Sequence, residues 1–413
     1  MHTDKSTALK RSISLPMLIF YGLGTMIGGG IYALVGKVAG AAGMAAPFSF
    51  MLSAVLALLT AFSYAELSSR YPVSAGEVKY VNVAFSQRYF SMLVGWLVIF
   101  MGISSTAALT NATAGFIQDF VDLPTIPLII LLVATLGGLA AWGISESVTV
   151  VMAITLIELA GLLFVVMTGS SELASLTTRW SEIVPPATQF DMIIWGSILS
   201  GAFLAFYAFI GFEDMVNVAE EVKDVRRTMP IAIIACICIT MLVYMLVITV
   251  AVLAVPTDEL AASNTPLRLI LEHTAPGTST HAMGFISMLA TINGALVQTI
   301  MATRVLYGMA GTHKAPVYFR HVSYRTRTPV RATLLIVVGM LVFALWLDLE
   351  SLARTTSAII LFIFTAVNAA LLKLKWTQQL EPYGGMRTPW WACLAAFVTC
   401  LAMFIFGIFK LLS

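Results

Sequence analysis

Apolar residues fill most of this chain in blocks of about twenty, separated by short polar, basic or proline-bearing connectors. A membrane-crossing helix needs about 20 mostly apolar residues. By that measure the pattern predicts spans near 15–38, 46–68, 91–118, 125–144, 148–169, 191–219, 230–254, 282–308, 332–347, 351–373 and 389–411. The ninth of these eleven is short, and the first and sixth are interrupted. In the first, "GLGTMIGGGIYALVG" places Gly28, Gly29 and Gly30 side by side. Each glycine costs a helix about 1 kcal/mol relative to alanine, so three in a row predict a break. In the sixth, "FLAFYAFIGFEDMVNVAEEV" sets Gly211 before Glu213 and Asp214. Adjacent acids at membrane depth are expensive unless the backbone opens or the acids reach water or partners. Irregular backbone inside a bilayer is tolerated only where protein or a wet cavity surrounds it, and two broken helices at matching positions of two halves mark a transporter's binding site.

Charge placement orients the spans. With the N-terminus on the cytoplasmic side, the inner loops hold Lys5, Lys10 and Arg11; Arg70, Lys79 and Arg88; Lys223, Arg226 and Arg227; Lys314, Arg320, Arg325, Arg327 and Arg331; and Lys373, Lys375 and Arg387. Together these are 17 of the 23 basic residues, against Arg179 and Arg268 in the outer loops. That is the asymmetry the positive-inside rule expects, and losing one early span would erase it. An odd span number sends the C-terminus outside. The expectation is one multi-pass domain over 1–413 in the plasma (inner) membrane. Its first repeat covers about 15–169, its second about 191–373, and a peripheral last helix about 389–411.

Composition agrees: of 413 residues 59% are hydrophobic and 11% charged, with a mean hydropathy of +0.92, where soluble domains carry roughly 25% charge. The net charge of +2 adds little, because charge in such a chain acts by location. The polar start, "MHTDKSTALKRSIS", leads into an apolar run too long for a signal peptide's core and without its cleavage pattern. Cys236, Cys238, Cys393 and Cys400 lie in apolar runs and read as small core residues; the first two are spaced to face different ways on a helix, so no metal site is expected. The basic loop 309–331 reads as an orienting, lipid-headgroup contact rather than a nucleic-acid site. His2, His273, His281, His313 and His321 all fall outside span interiors, and neither HExxH nor G-x-S-x-G occurs, which argues against an enzyme. A phosphate-binding loop would need a preceding strand. No nucleotide-binding domain and no cofactor are expected.

Beyond these patterns, "GLGTMIGGGIYALVG" resembles the first-helix signature of the amino acid–polyamine–organocation superfamily, G-x-G-x-M-I-G-x-G-I-F. "FYAFIGFEDMVNVAEEVKD" is similar to that family's sixth helix, "YAELSSRYPVSAG" to its second-helix exit and "ATRVLYGMAGTHKAP" to the end of its eighth. The matches run in order from about residue 15 to 330 and lean toward bacterial relatives of the cationic amino acid transporters. The resemblance implies an all-α integral membrane protein of the five-plus-five inverted-repeat fold with broken helices 1 and 6. It also implies secondary active transport of an amino acid by alternating access, with proton-coupled symport expected first. An amino acid/amine exchanger is the alternative, and a sensor or channel that kept the fold without coupling comes from a different class. The superfamily commonly has twelve spans against the eleven counted here; its last two serve the periphery.

Site residues follow from the resemblance and from helix-end physics together. A half-helix beginning near Ile31 offers unpaired N–H donors to an anion, and half-helices ending near Ile27 and Ile210 offer carbonyls to a cation. The resemblance places the substrate carboxylate on Gly28, Gly29 and Gly30, and its ammonium on the carbonyls of Thr25, Met26, Tyr207, Ala208 and Ile210. G-x-x-x-G packing through Gly24 and Gly28 is the competing use. Gly29 stands where the family often has Thr or Ser, which removes a hydroxyl from the pocket. Of Glu213 and Asp214, one is expected to meet substrate or a proton and the other to cap the inner half-helix; Glu213, which aligns with the family's acid after Gly-Phe, is favoured for the first role. Glu158, mid-way along the fifth span where proton-coupled relatives often carry lysine, divides evenly between a proton-coupling residue and a polar strut. Arg304 is expected to pair with Glu66, Glu220 or Glu221 as an inner gate, or to snorkel. Ser104, Ser105, Thr291 and Asn293 are polar candidates for the side-chain pocket. The partners expected are the amino acid, protons and the lipid bilayer; the oligomeric state stays open.

Overall fold

The computed structural model describes residues 11, 13–73, 76–142, 148–184, 192–277, 281–326, 328–378 and 385–412, with the side chains at 148–151, 220 and 411–412 outside that description. Lys5, Lys10, Arg327 and the Glu220 side chain, all used in the sequence reading, therefore lie outside the described residues. Helix dominates, and the one extended pairing among the described residues is an isolated parallel bridge between Ile13 and Val222. It ties the segment before the first span to the end of the sixth: Ile13 donates to the Glu221 carbonyl at 3.0 Å and Lys223 donates back to Ile13 at 2.9 Å.

All eleven apolar blocks become helical. Eight described helical runs are long and apolar enough to cross a membrane, nine if Met152–Thr168 with Ser170–Ile183, bent by 58°, counts as one. Gly29–Arg70 covers the second half of the first span plus the second, and Leu15–Ile27 and Val330–Trp346 are shorter apolar helices. The longest helices are Arg88–Gln118, Val225–Ala254, His281–Gly311 and Leu349–Trp376, the third, seventh, eighth and tenth spans. Pro47 sits in the first turn of Ala46–Arg70, where its missing N–H would be unpaired anyway. A loop helix, Gly76–Phe85, connects the second and third spans. Two short helices, Thr257–Ala262 and Pro266–Thr274, follow the seventh and press on the first span through glycines. A Cβ on Gly36 would fall on the Leu260 carbonyl, and one on Gly40 would come 2.5 Å from the Ala261 side chain.

Burial is concentrated around the first and sixth spans. Tyr32, Phe50, Tyr64, Phe203, Phe206, Phe209, Phe212, Tyr244 and Phe364 are all fully buried and meet largely edge to face, as in Tyr64–Phe212 at 5.5 Å and Phe209–Tyr244 at 5.3 Å. Such pairs add roughly 0.5–1.5 kcal/mol beyond their buried area. The last span, Trp390–Leu412, is bound to the core by polar contacts as well: Asn368 Nδ2 donates to Thr60 Oγ1 at 3.0 Å, and Thr60 Oγ1 lies 3.2 Å from Cys400 Sγ. Cysteines divide as their spacing implies. Cys236, Cys393 and Cys400 are buried, but Cys238 is exposed, so the reading of all four as core residues is corrected for Cys238.

Candidate functional site

The first span breaks at a single residue. Helix Leu15–Ile27 ends and helix Gly29–Ala42 begins on either side of Gly28, whose ψ of −162° leaves the helical region. The second half therefore starts at Gly29, two residues before the position expected near Ile31. No side chain caps that start, so its first N–H groups are open donors with the helix dipole behind them. Close packing, as well as the break, requires glycine here. A Cβ on Gly29 would come 2.4 Å from the Leu109 side chain, and one on Gly30 would come 2.9 Å from the Ala208 backbone.

The sixth span loosens in stages. Helix Met192–Ala205 tightens to a 3₁₀ turn over Phe206–Phe209, Ile210 is extended at φ −69° and ψ 141°, and Gly211 sits at φ +128°. Only glycine adopts that φ without strain, and a Cβ there would lie 2.5 Å from the Thr25 carbonyl oxygen. A ten-residue 3₁₀ helix, Phe212–Glu221, completes the span. Runs of that length are uncommon.

The two breaks face each other. Thr25 Oγ1 is 2.9 Å from both the Gly211 and the Gly22 carbonyls, and Tyr244 of the seventh span donates to the Met26 carbonyl at 2.7 Å. Between them lies a small cavity of about 20 Å³, lined by Thr25, Met26, Gly28, Gly29, Gly30, Tyr207 and Ile210. The third and eighth spans complete its wall with Ser105, Leu109, Gly294, Val297 and Gln298. Tyr207 Oη and Ser105 Oγ are 3.1 Å apart, joining the sixth span to the third.

Two predicted site residues stand outside that lining. Ala208 packs its backbone against Gly30. Glu213 turns back on its own break, where Oε2 accepts from Gly211 N at 2.9 Å while Oε1 has no hydrogen-bond partner. A carboxylate at the start of a helical segment gains from the open N–H groups there, which accounts for the placement. Of the four polar pocket candidates only Ser105 lines the cavity. Ser104 donates to the Leu352 carbonyl at 3.0 Å, and Thr291 accepts from Thr113 at 2.8 Å; both hold helices together. Asn293 faces Glu158, and its Nδ2 is unpartnered.

Glu158 is fully buried, and neither carboxyl oxygen has a hydrogen-bond partner. Its main-chain carbonyl accepts from Tyr32 Oη at 2.5 Å, so the second half of the first span reads the position of the fifth directly. The expected pairing of Arg304 with Glu66 is corrected. Arg304 is exposed, and Glu66 is engaged elsewhere: it accepts from Arg70 Nη2 at 2.8 Å, from Lys375 Nζ at 2.7 Å and from Thr388 N at 2.8 Å. Glu221 is half-buried and contributes its carbonyl to the Ile13 bridge. Sequence reasoning missed Tyr244, Leu109, Gly294, Val297 and Gln298: in apolar runs the leucine and valine read as core, and the glycine and the isolated polar side chains read as helix packing.

An all-helical bundle whose first and sixth spans open toward a shared cavity defines a broken-helix membrane transporter fold. The chain belongs to the amino acid permease family, whose profile matches residues 13–411. It is 30% identical over 387 residues to cationic amino acid transporter 3, mitochondrial, of Arabidopsis thaliana, covering 89% of this chain and 63% of the relative. It is 26% identical over 392 residues to a branched-chain amino acid permease of Bacillus subtilis, covering 92% and 84%, and 28% identical over 402 residues to that organism's methylthioribose transporter, covering 90% and 83%. The chain thus spans less than two thirds of the length of the plant relative. These relatives are transporters and permeases, not enzymes.

Proposed function

We propose that this protein carries an amino acid across the membrane by alternating access, taking up the substrate zwitterion between the two breaks. The observation that carries the reading is the opposition of unlike helix ends around one cavity. Open N–H groups at Gly29 and Gly30 suit a carboxylate, and the carbonyls of Thr25, Tyr207 and Ile210 suit an ammonium. The two halves, about 15–169 and 191–373, rock against each other around that fixed site in the way inverted-repeat carriers do. The membrane is the plasma (inner) membrane, and the basic inner loops favour a cytoplasmic N-terminus.

Proton symport is the preferred coupling. Glu158 favours it: a buried carboxyl with no hydrogen-bonded oxygen, inside a span and beside the moving first helix, is costly to retain unless it serves transport. The test is uptake of a labelled amino acid panel into proteoliposomes with and without an imposed pH gradient. Accumulation above the equilibrium level that follows the gradient supports symport. Uptake only against a preloaded amino acid or amine moves the reading to exchange, and passive equilibration alone leaves a channel. No uptake of any panel member overturns transport.

A further inference from the structure

The cavity between the breaks and the acidic pair of the sixth span are joined by one side chain. Gln298, on the eighth span, lines the cavity and donates from Nε2 to Asp214 Oδ2 at 2.9 Å. The residue is 5% exposed, and its other end, Oε1, has no partner. A buried acceptor left without a hydrogen bond costs on the order of 1–3 kcal/mol, and neighbouring polar groups of the cavity are already matched, as Tyr207 with Ser105 shows.

Resting on the transport reading above, we propose that Gln298 is a specificity-determining residue: its carbonyl oxygen accepts a hydrogen bond from the transported amino acid, and Asp214 sets its orientation.

The chemistry follows from what each group can do. An ionised carboxylate only accepts, so while Asp214 is charged the amide must present Nε2 to it and Oε1 to the far side. That orientation offers an ammonium or hydroxyl one more acceptor and gives a carboxylate none. A proton on Asp214 supplies an O–H that Oε1 can accept, and the amide is then free to turn Nε2 toward the cavity. One proton, taken from solvent and held on a carboxyl oxygen, thereby exchanges an acceptor for a donor in the wall.

The surroundings of Asp214 permit this. Glu213 is adjacent, Glu77 of the loop helix is within electrostatic reach, and Tyr64 of the second span lies beside both of those acids. The packed half of the first span, Leu15–Ile27, has no charged residue. The seventh and eighth spans bring Arg226, Arg227 and Arg304 at exposed positions. Among the described residues no three His, Cys, Asp or Glu side chains are placed to hold a metal ion.

The experiment reconstitutes the full chain and measures KM for labelled L-alanine, L-leucine and L-arginine, whichever the wild type takes up, from mildly acidic to mildly alkaline pH. Wild-type KM is expected to change with pH. Gln298→Leu is expected to raise KM about tenfold, the scale of one lost hydrogen bond, and to flatten the pH profile. Asp214→Asn, which donates and accepts at every pH, is expected to flatten it too, and the double variant to add nothing further. A leucine variant that keeps the wild-type KM and profile overturns the proposal, as does one that loses only rate, which a merely structural role would give. Should that variant fail to fold, Asp214→Asn decides alone: a persisting pH-dependent KM overturns the proposal. If the wild type moves none of the three, the transport reading itself fails, which is a separate result.

Discussion

The Thr25 hydroxyl reaches across the space between the two breaks to the Gly211 carbonyl at 2.9 Å, with the Gly22 carbonyl of its own helix at the same distance. One proton serves two acceptors, so the contact can be made and released as the halves move without leaving the hydroxyl bare. Thr25→Val keeps the shape and removes the proton. Initial uptake rates are expected to fall about tenfold while thermal stability changes by about 1 kcal/mol, the net worth of one hydrogen bond. Thr25→Ser is expected to restore the rate. A valine variant that keeps the rate while the serine variant loses it would show that the methyl packing, not the bridge, matters.

Gly211 is the most constrained position of the site, with φ at +128° and a Cβ that would lie 2.5 Å from the Thr25 carbonyl oxygen. Gly211→Ala is expected to abolish uptake and lower the melting temperature, because the neighbour in the way is backbone. Gly138, exposed in the fourth span with nothing within 4 Å of its would-be Cβ, is the control. Alanine there is expected to be neutral or to stabilise by up to about 1 kcal/mol. A comparison of melting curves in detergent checks both.

These two positions show what the sequence could reveal. Backbone breaks announce themselves where glycines and acids interrupt apolar runs, so Gly28–Gly30 and Gly211 were legible, as were the spans around them. Partnerships between distant side chains were not. Lys375 lies 309 residues from Glu66, and nothing in the local pattern of "YAELSSR" distinguishes that partner from Arg304. Gln298 was invisible for the same reason: an amide in an apolar helix reads as packing until its far end is seen on Asp214. Glu213 was placed at the correct break, but its carboxylate turns back on Gly211 N and stands outside the cavity lining, since alignment with a motif does not say which way a carboxylate turns.

Glu158 is held by its main chain rather than its side chain: Tyr32 Oη donates to its backbone carbonyl at 2.5 Å, and both carboxyl oxygens are unpartnered. Replacing the carboxyl by an amide therefore leaves the local scaffold in place. Glu158→Gln is expected to bind substrate normally, read as ligand-induced thermal stabilisation, and to lose accumulation driven by a pH gradient. Unchanged accumulation would reduce the residue to a polar strut.

Glu77 lies in the loop helix outside the spans, and burial pushes its carboxyl up to about 7 against the pull of its own backbone N–H, which lowers it. The unfolded chain releases this proton near the ordinary value of 4.5, whereas the folded chain keeps it until about 7. Between those values the folded state binds more protons, so this group's contribution to stability is full at acidic pH, declines as pH rises, and is gone above the folded value. Glu77→Gln is expected to flatten the melting temperature across that window and to leave the variant more stable than wild type on the alkaline side. A wild-type melting temperature that rises with pH there, or one that falls just as much in the variant, would contradict the assignment.

Glu66 is the point at which three elements meet. Fully buried at the end of the second span, it accepts from Arg70 one turn on, from Lys375 at the end of the tenth span and from Thr388 N just before the last. Removing one partner of a buried charge network leaves the others uncompensated, which typically costs about 3–5 kcal/mol. The loss is unequal across the network. Glu66→Gln withdraws the anion from two cations at once, so a destabilisation of about 3 kcal/mol or more is expected. Lys375→Met leaves Arg70 to neutralise the carboxylate, and the expected cost is about 1 kcal/mol. Because the carboxylate is buried, added salt should screen the effect only weakly. Melting curves of both variants at low and high salt measure the difference, and equal costs, or a cost that salt erases, would mean that these charges sit on the surface in solution rather than fastening the last span to the core.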